Sequence, residues 1–579
     1  MFRRRSHEID PDIIFINAQN LSELDTSQLE GELERPISRI GVSLFVGALL
    51  ITGGAFIFQA IRLQVVEGKQ YAERSERNRL DSVAVFAERG VIYDRNGTPL
   101  VWNELPDTTA TSTASTTDAA PTTIPPTGVQ FSRRVYADNV GGIGAFIGYL
   151  TYPRKDRNGN FTSAQLTPQE GLEKFFDKAL SGTPGVALRE SDVEGSLLSQ
   201  SIVEPPVHGT SLHLSIDANL QDALYRHLSE AVAKQGFEGG AAGFMDVTNG
   251  ELLAYVSAPT FDANIVSQGG EQAEQVIMDK RKLFLDRFAL GEFAPGSIVK
   301  PFISLAALNE NIISPEKSIF SKGYLEIPNP YNPDKPSIFK DWKAHGYVNM
   351  RQAIAVSSDV YFYVIGGGFQ DQKGLGIKRI DDYMQRFGFG SSISNPLFGG
   401  KNGQIPTPEW KEETFDDDWR LGDTYITSIG QFGFLVTPAQ MLRSVAAIAT
   451  QGTLIEPTLL KGDTTYGTTD ARTVSFDAAD WDVVHDGMEL SVKEGTAAPL
   501  NGLPFTVAAK TGTAEVGATK DHVHTWTIGY FPADKPRYVF VLMMEKGPKE
   551  NTLSASRILR GALDEVLAEH PDLFDLDNS

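Results

Sequence analysis

Pro295-Gly296-Ser297-Ile298-Val299-Lys300-Pro301 is the stretch on which the reading of this chain turns. Pro295 and Gly296 end whatever precedes them. An apolar pattern at helical spacing follows through Phe302, Leu305, Ala306 and Leu308. Ser297 and Lys300 are three residues apart, so on a helix they share a face one turn apart. A serine becomes a nucleophile only with a base in hydrogen-bond reach, and this spacing supplies one. Pro301 constrains the placement: inside a helix its ring would strike the carbonyl of Ser297, so Ser297 belongs at or just before the helix start. Unpaired N–H groups there favour developing negative charge.

A bare Ser-x-x-Lys is most often a solvated helix turn, and a second copy, Ser314 to Lys317, lacks this setting. Two later stretches separate the copies. Ser357-Ser358-Asp359 precedes a Val-Tyr-Phe-Tyr run, and Lys510-Thr511-Gly512-Thr513 follows Val507-Ala508-Ala509. Alone, the first reads as a helix cap and the second as a common turn. Ser-x-x-Lys, Ser-x-Asn/Asp and Lys-Thr-Gly, in that order, are the signature set of penicillin-binding proteins and serine β-lactamases.

A chain of 579 residues exceeds one ordinary domain. Its net charge of −22 argues against a nucleic-acid partner. With no cysteine there is neither a disulfide nor a thiolate metal site. His345, His522 and His524 lack metal-ligand spacing and read as ordinary polar residues, so no metal or cofactor is expected. Residues 1–39 mix Arg3-Arg4-Arg5 with many acids and read as a largely disordered tail. Residues 40–61 contain no charged side chain and are long enough, at about 20 residues, to cross a bilayer as one helix. A core helix rarely stays charge-free over that length. The long preceding tail and the want of a small-x-small site argue against a cleaved signal peptide. Arg35 and Arg39 before the segment, and Arg62, Lys69 and Arg74 after it, leave orientation to be argued from chemistry.

Residues 62–209 carry Glu88 to Gly97, which reads as a strand entering an Asn-Gly turn. They also carry a Thr/Ala/Ser/Pro-rich flexible insertion at 107–128 and a short amphipathic helix from Gly171 to near Gly182. From residue 210 the texture changes. Ser211 to Ile216 alternates as a strand, and Asp217 caps a helix through Leu220, Leu224, Leu228 and Val232. Ala241 to Asp246 and Glu251 to Ser257 form a hairpin around Thr248-Asn249-Gly250. After a helical middle come the Lys-Thr-Gly strand, His524 to Phe531, Arg537 to Met544 and a C-terminal helix over Ile558 to Leu567. The expected fold of 210–579 is α+β: a mostly antiparallel five-stranded sheet, helices on both faces and an all-helical insertion.

This arrangement resembles the class B penicillin-binding proteins over nearly everything after the membrane segment. Arg89-Gly90-x-Ile92-x-Asp94-Arg95-Asn96-Gly97 looks like that family's N-terminal pedestal motif, and Gly171-Leu172-Glu173 like a second pedestal landmark. By that resemblance residues 62–209 are an elongated β-rich pedestal and 210–579 the transpeptidase domain. Further runs are similar to the elongation-type subgroup, penicillin-binding protein 2. They are Ile405-Pro406-Thr407-Pro408-Glu409-Trp410-Lys411, Gly422-Asp423-Thr424, Ser428-Ile429-Gly430-Gln431 and Thr437-Pro438-Ala439-Gln440. Asp359, where division-type relatives have Asn, points the same way. The stretch between the pedestal motif and Ser297 is short for the subgroup, which implies a reduced pedestal head. No glycosyltransferase domain precedes the pedestal, so glycan polymerisation is expected from elsewhere.

The resemblance implies a substrate, the D-alanyl-D-alanine end of a peptidoglycan stem peptide, and a role for each residue. Ser297 attacks the penultimate carbonyl. Lys300 takes its proton as a neutral amine, which requires lowering an ordinary lysine pKa of about 10.4 by about 3 units, or about 4 kcal/mol. Burial and the charge of Lys510 would supply that. Ser357 relays a proton to the leaving amine, and Asp359 holds the substrate backbone. Lys510 supplies positive charge toward the terminal carboxylate or Ser357, and Thr511 and Thr513 offer that carboxylate their hydroxyls. Gly512 lets substrate approach, and the N–H groups of Ser297 and Thr513 form an oxyanion hole. β-Lactams acylate Ser297 as mimics.

The implied role is cross-linking during lateral wall elongation. The implied setting is a single-pass protein of the cell (inner) membrane, with a cytoplasmic N-terminus and an extracytoplasmic catalytic domain. The implied partners are stem peptides and lipid-linked glycan strands, a rod-shape-family (SEDS) glycan polymerase and elongasome scaffold proteins. Alternatives are a D,D-carboxypeptidase or β-lactamase on the same catalytic domain, a non-catalytic activator or scaffold of a glycan polymerase, or a penicillin sensor. The pedestal and anchor argue against the hydrolases. The intact Ser-Lys-Ser-Lys set argues against a pure scaffold, and the short tail against a sensor.

Overall fold

The computed structural model describes residues 38–71, 80–104, 132–154, 165–191, 197–329, 332, 334–551 and 553–574. Residues 1–37 of the expected tail and the 107–128 insertion lie outside them. The chain divides into two compact units, residues through Asp81 with Glu190–Gly195, and Ser82–Arg189 with Ser196–Ser579.

In the first unit Arg39–Ile61 is one helix of 23 residues, capped by Ser38, whose hydroxyl accepts the Gly41 N–H. It runs on into a wide turn over Arg62–Val66. At 1.5 Å per residue the helix is about 35 Å long, enough to cross a hydrocarbon core of about 30 Å. Leu50, Ile51 and Phe56 are all exposed. A folded chain in water does not leave so continuous an apolar surface uncovered.

The second unit is built on a sheet of five strands, β1 Gly239–Asp246, β2 Leu252–Ala258, β3 Ala508–Val516, β4 His522–Phe531 and β5 Tyr538–Pro548. Their order is β2-β1-β5-β4-β3, and every pairing is antiparallel. The helices that matter for the site are α1 Ala218–Gln235, α2 Lys300–Asn309, α3 Met350–Val356, α4 Asp359–Gly367, α5 Pro438–Ala449, α6 Ala478–Lys493 and α7 Ala555–Glu569. Both faces of the sheet are covered, so β1 and β2 are buried at every position. Side chains alternate between the two cores. Ala242 and Phe244 pack with Leu224 and Leu228 of α1 and Leu559 of α7. Ala241 and Met245 join the core that contains Met441 and Val445 of α5.

Local chemistry explains the element ends. Asp217 accepts the N–H groups of Asn219 and Leu220 to start α1, and Gly236 ends it in the left-handed region. Thr437-Pro438-Ala439-Gln440 is a reciprocal cap: Thr437 Oγ1 accepts the Gln440 N–H at 3.1 Å and Gln440 Oε1 accepts the Thr437 N–H at 2.8 Å. The 405–411 and 422–424 runs meet where Lys411 pairs with Asp423 at 2.8 Å.

Three expectations need amendment. The insertion between β2 and β3 is not all helical, because Ile319–Ser321 pairs with Gly346–Val348, Tyr324–Ile327 with Ser337–Lys340, and Thr453–Glu456 with Gly467–Thr473. The 211–216 strand shrinks to Leu212–His213, parallel to Ile92–Tyr93. Leu214 N–H still bonds to Tyr93 O, and beyond it the chain bonds elsewhere, Ser215 N–H to Leu459 O and Asp217 N–H to Leu253 O. The helix from Gly171 is two pieces, Gly171–Phe175 and Asp177–Leu180, broken at Phe176.

The two pedestal motifs form one buried ion network. Glu173 pairs with Arg89 at 2.5 Å and with Arg134 at 2.8 Å, and all three side chains are enclosed. Arg89 also reaches Asp177 at 2.6 Å. The Asn-Gly turn then docks on the start of α1: Asn96 donates to Asp217 at 2.9 Å, Asp94 accepts the Ala218 N–H at 3.3 Å, and Arg95 N–H donates to Ile216 O at 2.9 Å. Acidic groups at that helix end match its dipole.

Candidate active site

Ser297 lies on a tight turn, Gly296–Val299, that leads into α2. The Lys300 N–H bonds back to Ser297 O, and Pro301 occupies the first turn of the helix, where its missing N–H costs nothing. The turn rests on β3, the free edge of the sheet. The crossing is close at two glycines. A methyl on Gly512 would stand 2.8 Å from Pro295 O and 2.9 Å from Ile298 Cγ2. The space expected to admit substrate at Gly512 is therefore taken by the nucleophile turn itself. Gly296, at φ +59°, would set a methyl 2.6 Å from Thr513 O, and its N–H donates to Gly430 O at 2.9 Å. In an antiparallel ladder the N–H and C=O of one residue point to the same edge. The Thr513 N–H therefore faces the free edge, on the side of Ser297.

The second motif sits between α3 and α4. Ser357 ends α3 in the left-handed region at φ +59°, and Ser358 caps α4 by accepting the Tyr361 N–H at 3.4 Å. The helix-cap reading thus holds for Ser358, while Ser357 turns inward. Its Oγ lies 2.8 Å from Lys510 Nζ and 3.3 Å from Lys300 Nζ. Lys300 Nζ also donates to Ser357 O at 2.9 Å and to Asp359 Oδ1 at 2.6 Å. Lys510 Nζ donates to Thr511 O at 2.8 Å. Both lysines are fully buried.

The sequence reading put the free amine at Lys300. The structure gives Lys300 three acceptors, Ser357 O, Ser357 Oγ and Asp359 Oδ1. The amine driven well below the usual lysine range is Lys510, by burial first and by the charge of Lys300 second. Burial raises the Asp359 carboxyl, and Lys300 opposes that rise. Spacing along the chain does not reveal that Lys300 is the lysine that faces the acid.

The remaining residues divide. Thr511 Oγ1 donates to Thr496 Oγ1 at 2.6 Å, and Thr513 is exposed beside the edge. Ser297 Oγ, half-buried, has no hydrogen-bond partner among the described residues. The second Ser-x-x-Lys is a surface turn whose Lys317 Nζ donates to Gln372 Oε1 at 2.8 Å. His345 lies 3.4 Å from Asp341, His522 pairs with Asp521 on the surface, and His524 is buried, accepting the Lys546 N–H. Among the described residues no three His, Asp or Glu side chains are grouped to hold a metal. Asp341 and Thr496 act across the fold, and no local pattern marks them. Gly430 lies in the Ser428–Gln431 run, but nothing in that run shows that its carbonyl receives the Gly296 N–H.

Comparison with known proteins places this geometry. The model of the penicillin binding protein transpeptidase domain matches residues 240–564, more than half of the chain. The peptidoglycan D,D-transpeptidase MrdA of Haemophilus influenzae is 27% identical over 589 residues, covering 86% of this chain and 87% of that protein. A solved structure described as the structural coordination of polymerization and crosslinking by a peptidoglycan synthase complex is 26% identical at a TM-score of 0.67, covering 93% of this chain and 99% of the other. The penicillin-binding protein PBP2 of Helicobacter pylori, solved in complex with MreC, is 25% identical at a TM-score of 0.64, covering 85% and 99%. With three signature motifs converging on one cleft and these likenesses running nearly end to end, the chain belongs to the penicillin-binding protein transpeptidase family, on its class B, PBP2-like branch.

Proposed function

We propose that this chain is a membrane-anchored peptidoglycan D,D-transpeptidase of wall elongation, with Ser297 as its nucleophile. The observation that carries the reading is the meeting of Ser357 Oγ with Lys300 and Lys510 beside the Ser297 turn. Residues 40–61 anchor it, 62–209 form the pedestal and 210–579 the catalytic domain. The N-terminus is cytoplasmic and the catalytic domain extracytoplasmic, on the side of the membrane where its polymer substrate lies.

Ser297 Oγ attacks the penultimate carbonyl of a D-alanyl-D-alanine end, and its proton goes to Lys300. For that, Lys300 first passes a proton to Asp359, whose Oδ1 lies 2.6 Å from its Nζ. The oxyanion is held by the N–H groups of Ser297 and Thr513, and one such donor is worth about 3 to 4 kcal/mol. The proton on Lys300 then passes through Ser357 Oγ to the leaving nitrogen. The C–N bond breaks, D-alanine departs and an ester on Ser297 remains. An amine on a second stem peptide attacks that ester, loses its proton along the reverse path and restores the Ser297 hydroxyl. Lys510, depressed by burial and by Lys300, takes up a proton when the substrate carboxylate arrives, with Thr511 and Thr513 beside it. Asp359 has a second oxygen for the substrate backbone. β-Lactams enter by the same acylation.

The partners are lipid-linked glycan strands, a rod-shape-family (SEDS) glycan polymerase and elongasome scaffold proteins. The likeness to a synthase complex and to a complex with MreC supports this. Fluorescent penicillin applied to wild type and Ser297→Ala tests the assignment. The wild type should hold the label and the variant should lose it. Label kept by Ser297→Ala removes Ser297 as the nucleophile, and rapid loss of label from the wild type favours a β-lactamase.

A further inference from the structure

Ser357 must point its hydroxyl at two lysines from a left-handed backbone that a non-glycine residue adopts at a cost of about 1 to 2 kcal/mol. The surroundings have to hold it there. One buried carboxylate, Asp341, gathers that turn from three directions. Its Oδ2 accepts from Ser358 Oγ at 2.8 Å, from Ser321 Oγ at 3.0 Å and from the Val360 N–H at 3.1 Å. Its Oδ1 accepts from the Trp342 N–H at 2.9 Å. The Asp341 side chain is wholly enclosed.

Resting on the transpeptidase reading above, we propose that Asp341 is a positioning residue of this reaction. By clamping Ser358 and the first turn of α4, it holds Ser357 Oγ within reach of Lys300 and Lys510 together. It touches neither lysine's hydrogen-bonding atoms and no reacting atom. It acts through the peptide that joins Ser357 to Ser358 and through its charge.

The charge matters because Asp341 is a second carboxylate near Asp359 and raises the Asp359 pKa. The other groups that face it are His345 and Lys343 on its own loop and Lys300 across the turn. Burial lowers the pKa of His345 from its ordinary value, and Asp341 opposes that shift. The cleft holds two lysines and two aspartates, and of the aspartates the signature motifs name only Asp359.

The test is the second-order rate of acylation by fluorescent penicillin from pH 5 to 9, on the full-length protein in detergent, for wild type, Asp341→Asn and Ser358→Ala. Asp341→Asn should slow acylation at least tenfold. It should also move the acid limb of the profile to lower pH, because Asp359 no longer faces a like charge. Ser358→Ala removes one hydrogen bond and no charge. It should slow acylation three- to tenfold and leave the limb in place. Wild-type rate and profile in Asp341→Asn overturns the proposal, and so does a slower rate with an unmoved limb, which marks a merely structural residue. If Asp341→Asn does not fold, Ser358→Ala decides: a wild-type rate there overturns it. Retention of label by Ser297→Ala instead defeats the parent reading and is scored separately.

Discussion

Replacing Gly512 with alanine puts a methyl group about half an ångström inside ordinary contact with Pro295 O and with Ile298 Cγ2. Neither neighbour can step aside cheaply. Pro295 O is backbone, Ile298 is fully buried, and β3 is held in register by β4 along its whole length. The strain therefore falls on the turn that carries Ser297. Overpacking of this kind destabilises by about 1 to 3 kcal/mol. A reacting atom misplaced by about 1 Å can lose about 100-fold in rate. Gly512→Ala should accordingly acylate with fluorescent penicillin 10- to 100-fold more slowly, and should also unfold at lower urea concentration. Acylation within twofold of wild type at unchanged stability would refute the reasoning. A slower rate at unchanged stability would mean that the methyl obstructs only the ligand, returning Gly512 to the role of admitting substrate.

Glu173→Gln should destabilise the protein by about 3 to 5 kcal/mol in urea, because it leaves the buried guanidinium group of Arg134 facing no charge and that of Arg89 with Asp177 alone. A loss below about 1 kcal/mol would mean that the network is not a closed ionic core. Glu170 lines a cavity of about 350 Å³ with Phe146, Phe284 and Asp286, and burial pushes its carboxyl up to about 7, with Asp286 adding. A carboxyl raised on folding stabilises below its unfolded pKa, and that contribution is lost as pH climbs from about 4.5 to about 7. Glu170→Gln should therefore match wild type at pH 5 and exceed it at pH 8, by about 1 kcal/mol once solvent screening is allowed for. Equal stability at both pH values counts against it. His524 is the opposite case, since burial lowers it to about 4. Its neutral ring stabilises fully above pH 6.5, and that contribution fades as pH falls toward 4, by up to about 3 kcal/mol. Unfolding curves of His524→Gln between those values should show the slope removed, and an unchanged slope would assign it to other groups.

Most of the fold was legible because its signals are local. Asp217 and Gly236 bracket α1, Thr248-Asn249-Gly250 turns β1 into β2, and the charge-free run after Arg39 is a helix. The short strands around Ser321 and Lys340 were hidden because strands of three or four residues carry too little pattern to outweigh the helices flanking them. In the site, the motifs name the reacting side chains but not their partners. Arg89 and Glu173 are 84 residues apart, and each motif looked self-contained until their ion pair joined them. Asp341 reaches Ser321, Ser358 and Val360, contacts that exist only after three segments fold together.

The division of labour between the two lysines is the sharpest case. Lys300 and Lys510 are the same residue type, both fully buried and both within 3.3 Å of Ser357 Oγ, yet only Lys300 has a carboxylate, at 2.6 Å. With the acid beside one amine, burial and repulsion fall on the other. Moving that acid is the way to exchange their roles. Asp359→Asn removes the ion pair from Lys300 and the opposing negative charge from Lys510 together. The site then holds two enclosed amines that cannot both stay charged, and the penicillin acylation profile should lose the limb that Asp359 governs rather than fall uniformly.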